Sequence, residues 1–244
     1  MRTPAIALLA LLSAPVAAHA GMYDLTTTGT QATVSGAYFQ TADFQPAGTG
    51  YIQSFVRIQN TGVEKGYNTS ARPLAFDENS SPNFTRDVQL KDLGVTVVNG
   101  IVYAQFSLDI NETSNSDRYL SLDAVKIYAS STGQKSGSNL SALGSLVYDL
   151  DASSDNWIRL DATNSHGSGQ GDMDMLVPLS MFTAAGATRD SFITLYSEFG
   201  VHDAANSGFE EWTTRGSGAP VIPAPATGAL AIAGVAAGLA RRRR

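Results

Sequence analysis

The chain has 244 residues, 43% of them hydrophobic and 16% charged, with 16 basic against 22 acidic residues and no cysteine. The absence of cysteine excludes a disulfide, a thiolate nucleophile and a zinc–thiolate centre. With Arg2 and the four terminal arginines set aside, eleven basic residues face 22 acidic ones, a formal charge of −11; such a surface repels phosphate backbones, so no nucleic-acid partner is expected.

Residues 1–20 read as a secretory signal peptide. Arg2 supplies the cation, Ala5 to Leu12 the apolar run, and Ala18 and Ala20 the small residues before cleavage at Gly21. Pro15 ends the apolar helix ahead of the extended stretch that a signal peptidase requires. Residues 21–216 then form one domain, 196 residues long and large enough for a substantial core.

Within this domain the period is that of strands. Tyr51 to Gln59 alternates, with Ile52, Val56 and Ile58 on one face and Phe55, Arg57 and Gln59 on the other. Asn99-Gly100 lies between β-branched runs, and both residues tolerate positive φ, so a two-residue type I′ hairpin is predicted. Its second arm continues at period two through Val102, Ala104, Phe106, Leu108 and Ile110. Further strands are predicted over Leu120 to Tyr128, Leu146 to Leu150, Trp157 to Leu160, Met173 to Val177 and Phe192 to Phe199, with weaker signals at Arg86 to Leu90 and Phe209 to Thr213. About nine short strands with frequent turns predict an all-β fold, an antiparallel two-sheet sandwich of jelly-roll type. The segments Ser130 to Ser145 and Asn164 to Gly171 read as solvent-facing loops.

Four oxygen-bearing residues at alternate positions, Asp149, Asp151, Ser153 and Asp155, match the first positions of a calcium loop. The sixth and twelfth positions are Ser154 and Leu160, where an EF-hand needs glycine and a bidentate acid, so only a looser site is open, with Asp161 as a further ligand. Asp77, Glu78 and Asn79 form a second acidic group, readable as a metal loop or as an Asx-rich turn. No cofactor is required by any motif, and Ca2+ is the one ion that these groups could take.

Trp157 and Trp212, with Tyr196 and Phe209, are candidate platforms for stacking sugar rings, against the commoner fate of aromatic side chains in a core. His166 and His202 are isolated, and the chain holds neither a Gly-x-Ser-x-Gly elbow nor a His-Glu-x-x-His motif. Glu210 and Glu211 are adjacent and would point to opposite faces of a strand, so they do not form a glycosidase pair. A non-enzymatic protein is the expectation.

After a Pro-, Gly- and Ala-rich spacer, residues 217–225, a short apolar helix is predicted from Ala226 to Ala240, closed by Arg241, Arg242, Arg243 and Arg244. Fifteen helical residues rise roughly 22 Å against a hydrocarbon layer of about 30 Å, a marginal span. Four cations hold its end in the cytosol and leave the domain outside.

The order of Pro223, Ala224 and Pro225, a short apolar helix and a terminal arginine cluster resembles the PEP-CTERM sorting signal; the family tripeptide is Pro-Glu-Pro, and Ala224 takes the place of the glutamate. The resemblance implies an exosortase-like processing enzyme and the membrane as partners, with a permanent single-span anchor as the alternative. Ser54 to Thr69, Phe76 to Pro82 and Gly208 to Trp212 are similar to an ectodomain found in PEP-CTERM proteins, one that implies no catalytic residues. The implied role is that of an exported cell-surface or extracellular-matrix protein, the alternatives being a carbohydrate-binding module for extracellular polysaccharide and a calcium-stabilised adhesin.

Overall fold

The computed structural model describes residues 21–42, 53–112, 117–164, 171–206 and 208–214. Ala18, Ala20, His166, Pro223, Ala224, Pro225 and Arg241 to Arg244 lie outside the described residues, as do both predicted terminal helices. Among the described residues no helix is long and apolar enough to cross a membrane.

The strands run in chain order as β1 (Gly21–Asp24), β2 (Gln31–Val34), β3 (Ala37–Thr41), β4 (Ser54–Ile58), β5 (Thr61–Gly62), β6 (Glu64–Tyr67), β7 (Val88–Gln89), β8 (Gly94–Val98), β9 (Ile101–Asp109), β10 (Tyr119–Ser130), β11 (Ser145–Asp149), β12 (Asn156–Asp161), β13 (Met173–Pro178), β14 (Phe192–Phe199), β15 (Ala205–Asn206) and β16 (Glu210–Thr213). One short helix, α1 (Leu179–Ala184), follows β13 and buries Phe182. The described residues are thus mostly β, as their alternation predicts.

Two seven-stranded sheets carry the fold. The first has the order β1-β12-β10-β14-β6, with β11 also on β10 and β7 on β14; the second has the order β2-β3-β13-β9-β16-β4, with β8 on β9. Pairing is antiparallel throughout except between β1 and β12, which run parallel, so short connections do not dictate every pair. The N-terminal strand reaches β12 from far along the chain, where no hairpin constrains its direction.

The Asn99-Gly100 hairpin forms as predicted. Val98 faces Ile101 across the turn, and φ is 51° at Asn99 and 81° at Gly100, as a type I′ turn needs. A second hairpin of the same kind, absent from the sequence expectations, joins β2 to β3 through Ser35 and Gly36, with φ of 48° and 87°. Serine is a weaker turn signal than asparagine; here the Ser35 hydroxyl donates to the Leu150 carbonyl at 2.8 Å and ties the turn down.

The predicted alternation of β4 is corrected by a bulge. Phe55 and Val56 are both buried, although adjacent. Ser54 pairs with Thr213 and Val56 with Trp212, so Phe55 has no partner across the ladder. The extra residue lets two neighbours serve one core, and Phe55 packs edge-on against Phe106 with ring centroids 6.3 Å apart.

Inward residues of both sheets, among them Phe39, Phe106, Leu108, Met175 and Trp212 from the second and Leu122, Ile127, Ile158, Leu195 and Phe199 from the first, form one apolar cluster. Trp212 crosses between the sheets: it is 0% exposed, and its Nε1 donates to Ser197 Oγ at 3.0 Å. A smaller cluster of Tyr67, Tyr128, Tyr196 and Leu143 lies apart from it. The Ser130–Ser145 segment, expected to face solvent throughout, therefore sends Leu143 inward.

Three glutamates enter the interior incompletely paired. Glu64 and Glu210 are 0% exposed and Glu112 is 8% exposed. Burial pushes the carboxyl of Glu64 up to about 8 and that of Glu112 to about 7, with the charge of Glu112 adding to the effect on Glu64.

Trp212→Phe should destabilise the protein by about 2–4 kcal/mol in urea unfolding, because it opens a small cavity and strands the Ser197 hydroxyl. Adding Ser197→Ala should restore part of the loss. The raised glutamates give a pH dependence whose sign is set by the folded chain keeping protons that the unfolded chain, near 4.5, has released. Their contribution is fully present below that value and is lost as pH rises through 7 and 8. In chelator-containing buffer, stability should fall by on the order of a few kcal/mol between pH 5 and 9, and Glu64→Gln should flatten the profile of thermal midpoint against pH.

Candidate functional site

The outward face of the first sheet is polar and aromatic where β12 lies between β1 and β10. On β12, Ile158 and Leu160 point into the core, so Trp157 and Arg159 point out. On β10, Leu120 and Leu122 point in, and Tyr119 and Ser121 share the outer face with Arg159 and Asp161 across the ladder. β10 then carries a bulge: Leu122 pairs with Phe199 and Ala124 with Glu198, and Asp123 is left over. The bulge re-aims Asp123 at the loop after β14.

That loop is tied down through Asp123 and Ser121. Asp123 Oδ1 lies 2.6 Å from His202 Nδ1, and Oδ2 accepts from the backbone of Val201 and from Ser121 Oγ, each at 2.7 Å. Ser121 Oγ in turn accepts from the backbone of His202 and Asp203, each at 3.0 Å. Held in this way, His202 lies flat on Trp157, with centroids 4.3 Å apart and planes 3° from parallel.

Beside the stack, Arg159 makes a two-pronged pair with Asp203, Nε to Oδ2 at 2.8 Å and Nη2 to Oδ1 at 3.2 Å. The hydrogen bond to Asp203 holds its guanidinium further toward the charged form. Arg159 also sits over the Tyr119 ring, 4.2 Å from its centroid. Tyr119, Arg159, Asp203, Asp117, Thr61 and Asn206 line an adjoining groove of about 500 Å³. A roomier groove of about 590 Å³ is lined mainly by small residues, among them Ser130, Gly144, Ser145, Gly186 and Ala187; its acid, Asp190, is paired with Lys91.

The Asp123–His202 pair does not complete a nucleophilic triad. Ser121 Oγ donates to the aspartate rather than to the imidazole, and Ser121 is 0% exposed, so its hydroxyl is spent on positioning the loop. What the patch offers is an aromatic surface edged by a guanidinium, two carboxylates and an imidazole, a set suited to hydroxyl-rich ligands.

The two predicted tryptophan platforms separate. Trp157 stands half-buried on the outer face, with one ring face taken by His202. Trp212 is enclosed in the core and presents no ring to a glycan, because the parity of β16 directs it inward. Tyr196 is buried as well, and Phe209 is engaged by Arg57, which sits between it and Phe84 at 4.2 and 3.5 Å from the two rings.

The predicted calcium residues do not converge either. Asp149 pairs with Lys126 at 2.5 Å and also accepts from the backbone of Asp151. Asp151 accepts from the backbone of Asn156 at 2.9 Å, while Ser153 and Asp155 are exposed. Asp161 is held by Arg118 and Thr163. In the second acidic group, Asp77 is bonded by Asn60 and by the Lys65 backbone, and Glu78 by the Tyr67 and Phe76 backbones. Both groups are turns built from their own hydrogen bonds. Among the described residues no three His, Cys, Asp or Glu side chains are gathered in a ready metal-holding geometry.

No protein-family model matches the chain, and neither a curated protein nor a solved structure matches it.

Proposed function

We propose that the chain is a non-enzymatic, exported cell-surface or extracellular-matrix protein whose C-terminal segment is a PEP-CTERM-like sorting and anchoring signal. The observation that carries this reading is the order of Pro223, Ala224 and Pro225, a weakly apolar run of marginal length, and Arg241 to Arg244. Such a helix holds a domain at the membrane, and its cations prevent the tail from following it out. An exosortase-like enzyme then removes the tail and passes the domain to the surface. The domain itself is read as a two-sheet sandwich of jelly-roll type. This is supported by the path from β12 through β13 and β14 to β16, which alternates between the two sheets at each step.

A second reading, binding of extracellular polysaccharide, is favoured by the Trp157–His202 stack bordering the Arg159–Asp203 groove. A pyranose ring would stack on the free side of the indole or displace the imidazole.

Intact-mass analysis of protein recovered from producing cells should find residues up to about Pro225 with the tail removed. A full-length C terminus in the membrane fraction would favour a permanent anchor instead, and retention in the envelope of a chain deleted for residues 222–244 would overturn both. For the second reading, affinity gels containing acidic or neutral polysaccharides should retard the wild type, and Trp157→Ala should abolish the retardation while leaving the thermal midpoint nearly unchanged.

A further inference from the structure

Four glutamate oxygens inside this acidic protein have no hydrogen-bond partner among the described residues: Oε1 of Glu64, Oε1 of Glu112, and both oxygens of Glu210. Buried polar groups are nearly always answered, and an unanswered one calls for a water, an ion or a proton. Glu78 shows the ordinary solution a short distance away, with one backbone N–H donating to each of its oxygens. Glu64 and Glu112 receive one such bond each, from Asn60 and Asn206, and nothing donates to Glu210 within the described residues.

The fold brings the three to one end of the core. Glu210 lies two residues before Trp212 on β16 and so faces inward from the second sheet. Glu112 continues the inward parity of Leu108 and Ile110 beyond the end of β9. Glu64 pairs with Phe199 and shares its inward face on the first sheet. The connections between them are short. Thr61 pairs with Asn206, whose backbone N–H holds Glu112; Asn111 donates to the Phe209 carbonyl at 3.0 Å, next to Glu210; and the charge of Glu112 is felt at Glu64.

We propose that Glu64, Glu112 and Glu210 form a cation-binding site for calcium, closing the end of the core between the two sheets. Three buried carboxylates repel one another once ionised, and a divalent cation removes that cost while using all four unanswered oxygens. The donors are hard oxygens, and the chain has no cysteine, so calcium or magnesium is favoured over softer metals. The ligands come from three separate strand ends and connections. Calcium tolerates such irregular spacing at 6–8 ligands, whereas magnesium demands a small octahedron and keeps its own water. In the structure as it stands the carboxylates are not gathered on one point, and ion binding draws them together. The site owes nothing to the Asp149–Asp155 turn or to the tail.

The test uses the full chain, stripped with chelator and exchanged into calcium, magnesium or chelator at one pH. Calcium should raise the thermal midpoint by several degrees and magnesium by less. Glu210→Gln and Glu64→Gln should lose the calcium-induced shift, and Asp155→Asn should keep it. Should a glutamine variant fail to fold, the wild type alone decides. Terbium bound beside Glu210 should luminesce on excitation of nearby Trp212, and calcium should compete it away. Identical wild-type midpoints in calcium and chelator, a full calcium shift retained by Glu210→Gln, or terbium emission that is absent or insensitive to calcium would each overturn the proposal.

Discussion

The whole molecule depends on one apolar layer shared by two sheets with no covalent cross-link to hold them together. At about 25 cal/mol per Å² of apolar surface removed from water, that layer is the main force favouring the folded state. It works because β9, β13 and β14, in the middle of their sheets, present inward rows, and β10 resumes its own at Val125 after the bulge at Asp123. Polar groups that enter this layer must be answered inside it. Trp212 uses Ser197 on the opposite sheet. Tyr148 donates its hydroxyl to the Val34 carbonyl at 3.1 Å. Asn68 uses its amide to extend the ladder of β14, accepting from Leu195 at 2.6 Å and donating to Ile193 at 2.9 Å. The first two bonds choose one relative placement of the sheets, a choice that apolar contact alone leaves loose, while Asn68 fixes the end of β6 against β14 within the first sheet.

The outward faces follow a different logic. One end of the first sheet is closed by the tyrosine cluster under Phe76, Leu140 and Leu143. The other end is left to Trp157, Arg159, Tyr119 and the loop that Asp123 and Ser121 hold in place. A rigid strand pair thus displays a stacked imidazole and indole beside a charged groove, the arrangement by which β proteins commonly carry recognition on otherwise stable scaffolds. At one end of the core, Glu64, Glu112 and Glu210 show the opposite economy, in which carboxylates are withdrawn from water and left short of donors.

The acidic turn after β11 shows how local hydrogen bonds engage acids that have a metal-like spacing. Asp149, Asp151, Ser153 and Asp155 have the alternation of a metal loop, yet Lys126 and local backbone N–H groups take up the first two carboxylates. The acids that are short of partners are 48 and 98 positions apart along the chain, and no local pattern joins them. The same holds for Trp157 and His202, which meet only because the Asp123 bulge redirects a side chain, and a bulge leaves no mark in a run such as Leu120 to Tyr128.

The mostly β character, the Asn99-Gly100 hairpin and the inward row from Ala104 to Ile110 were legible in the sequence, because strand alternation and the tolerance of Asn-Gly for positive φ are local properties, whereas Val102, predicted on that row, is exposed near the hairpin tip. Only the tertiary structure decided that β1 runs parallel to β12, that Trp212 is core and Trp157 surface, that Phe55 and Asp123 sit at bulges, and that three distant glutamates share one interior. Each of these depends on which strand lies beside which, and that is settled by burial summed over the whole chain rather than by any one segment.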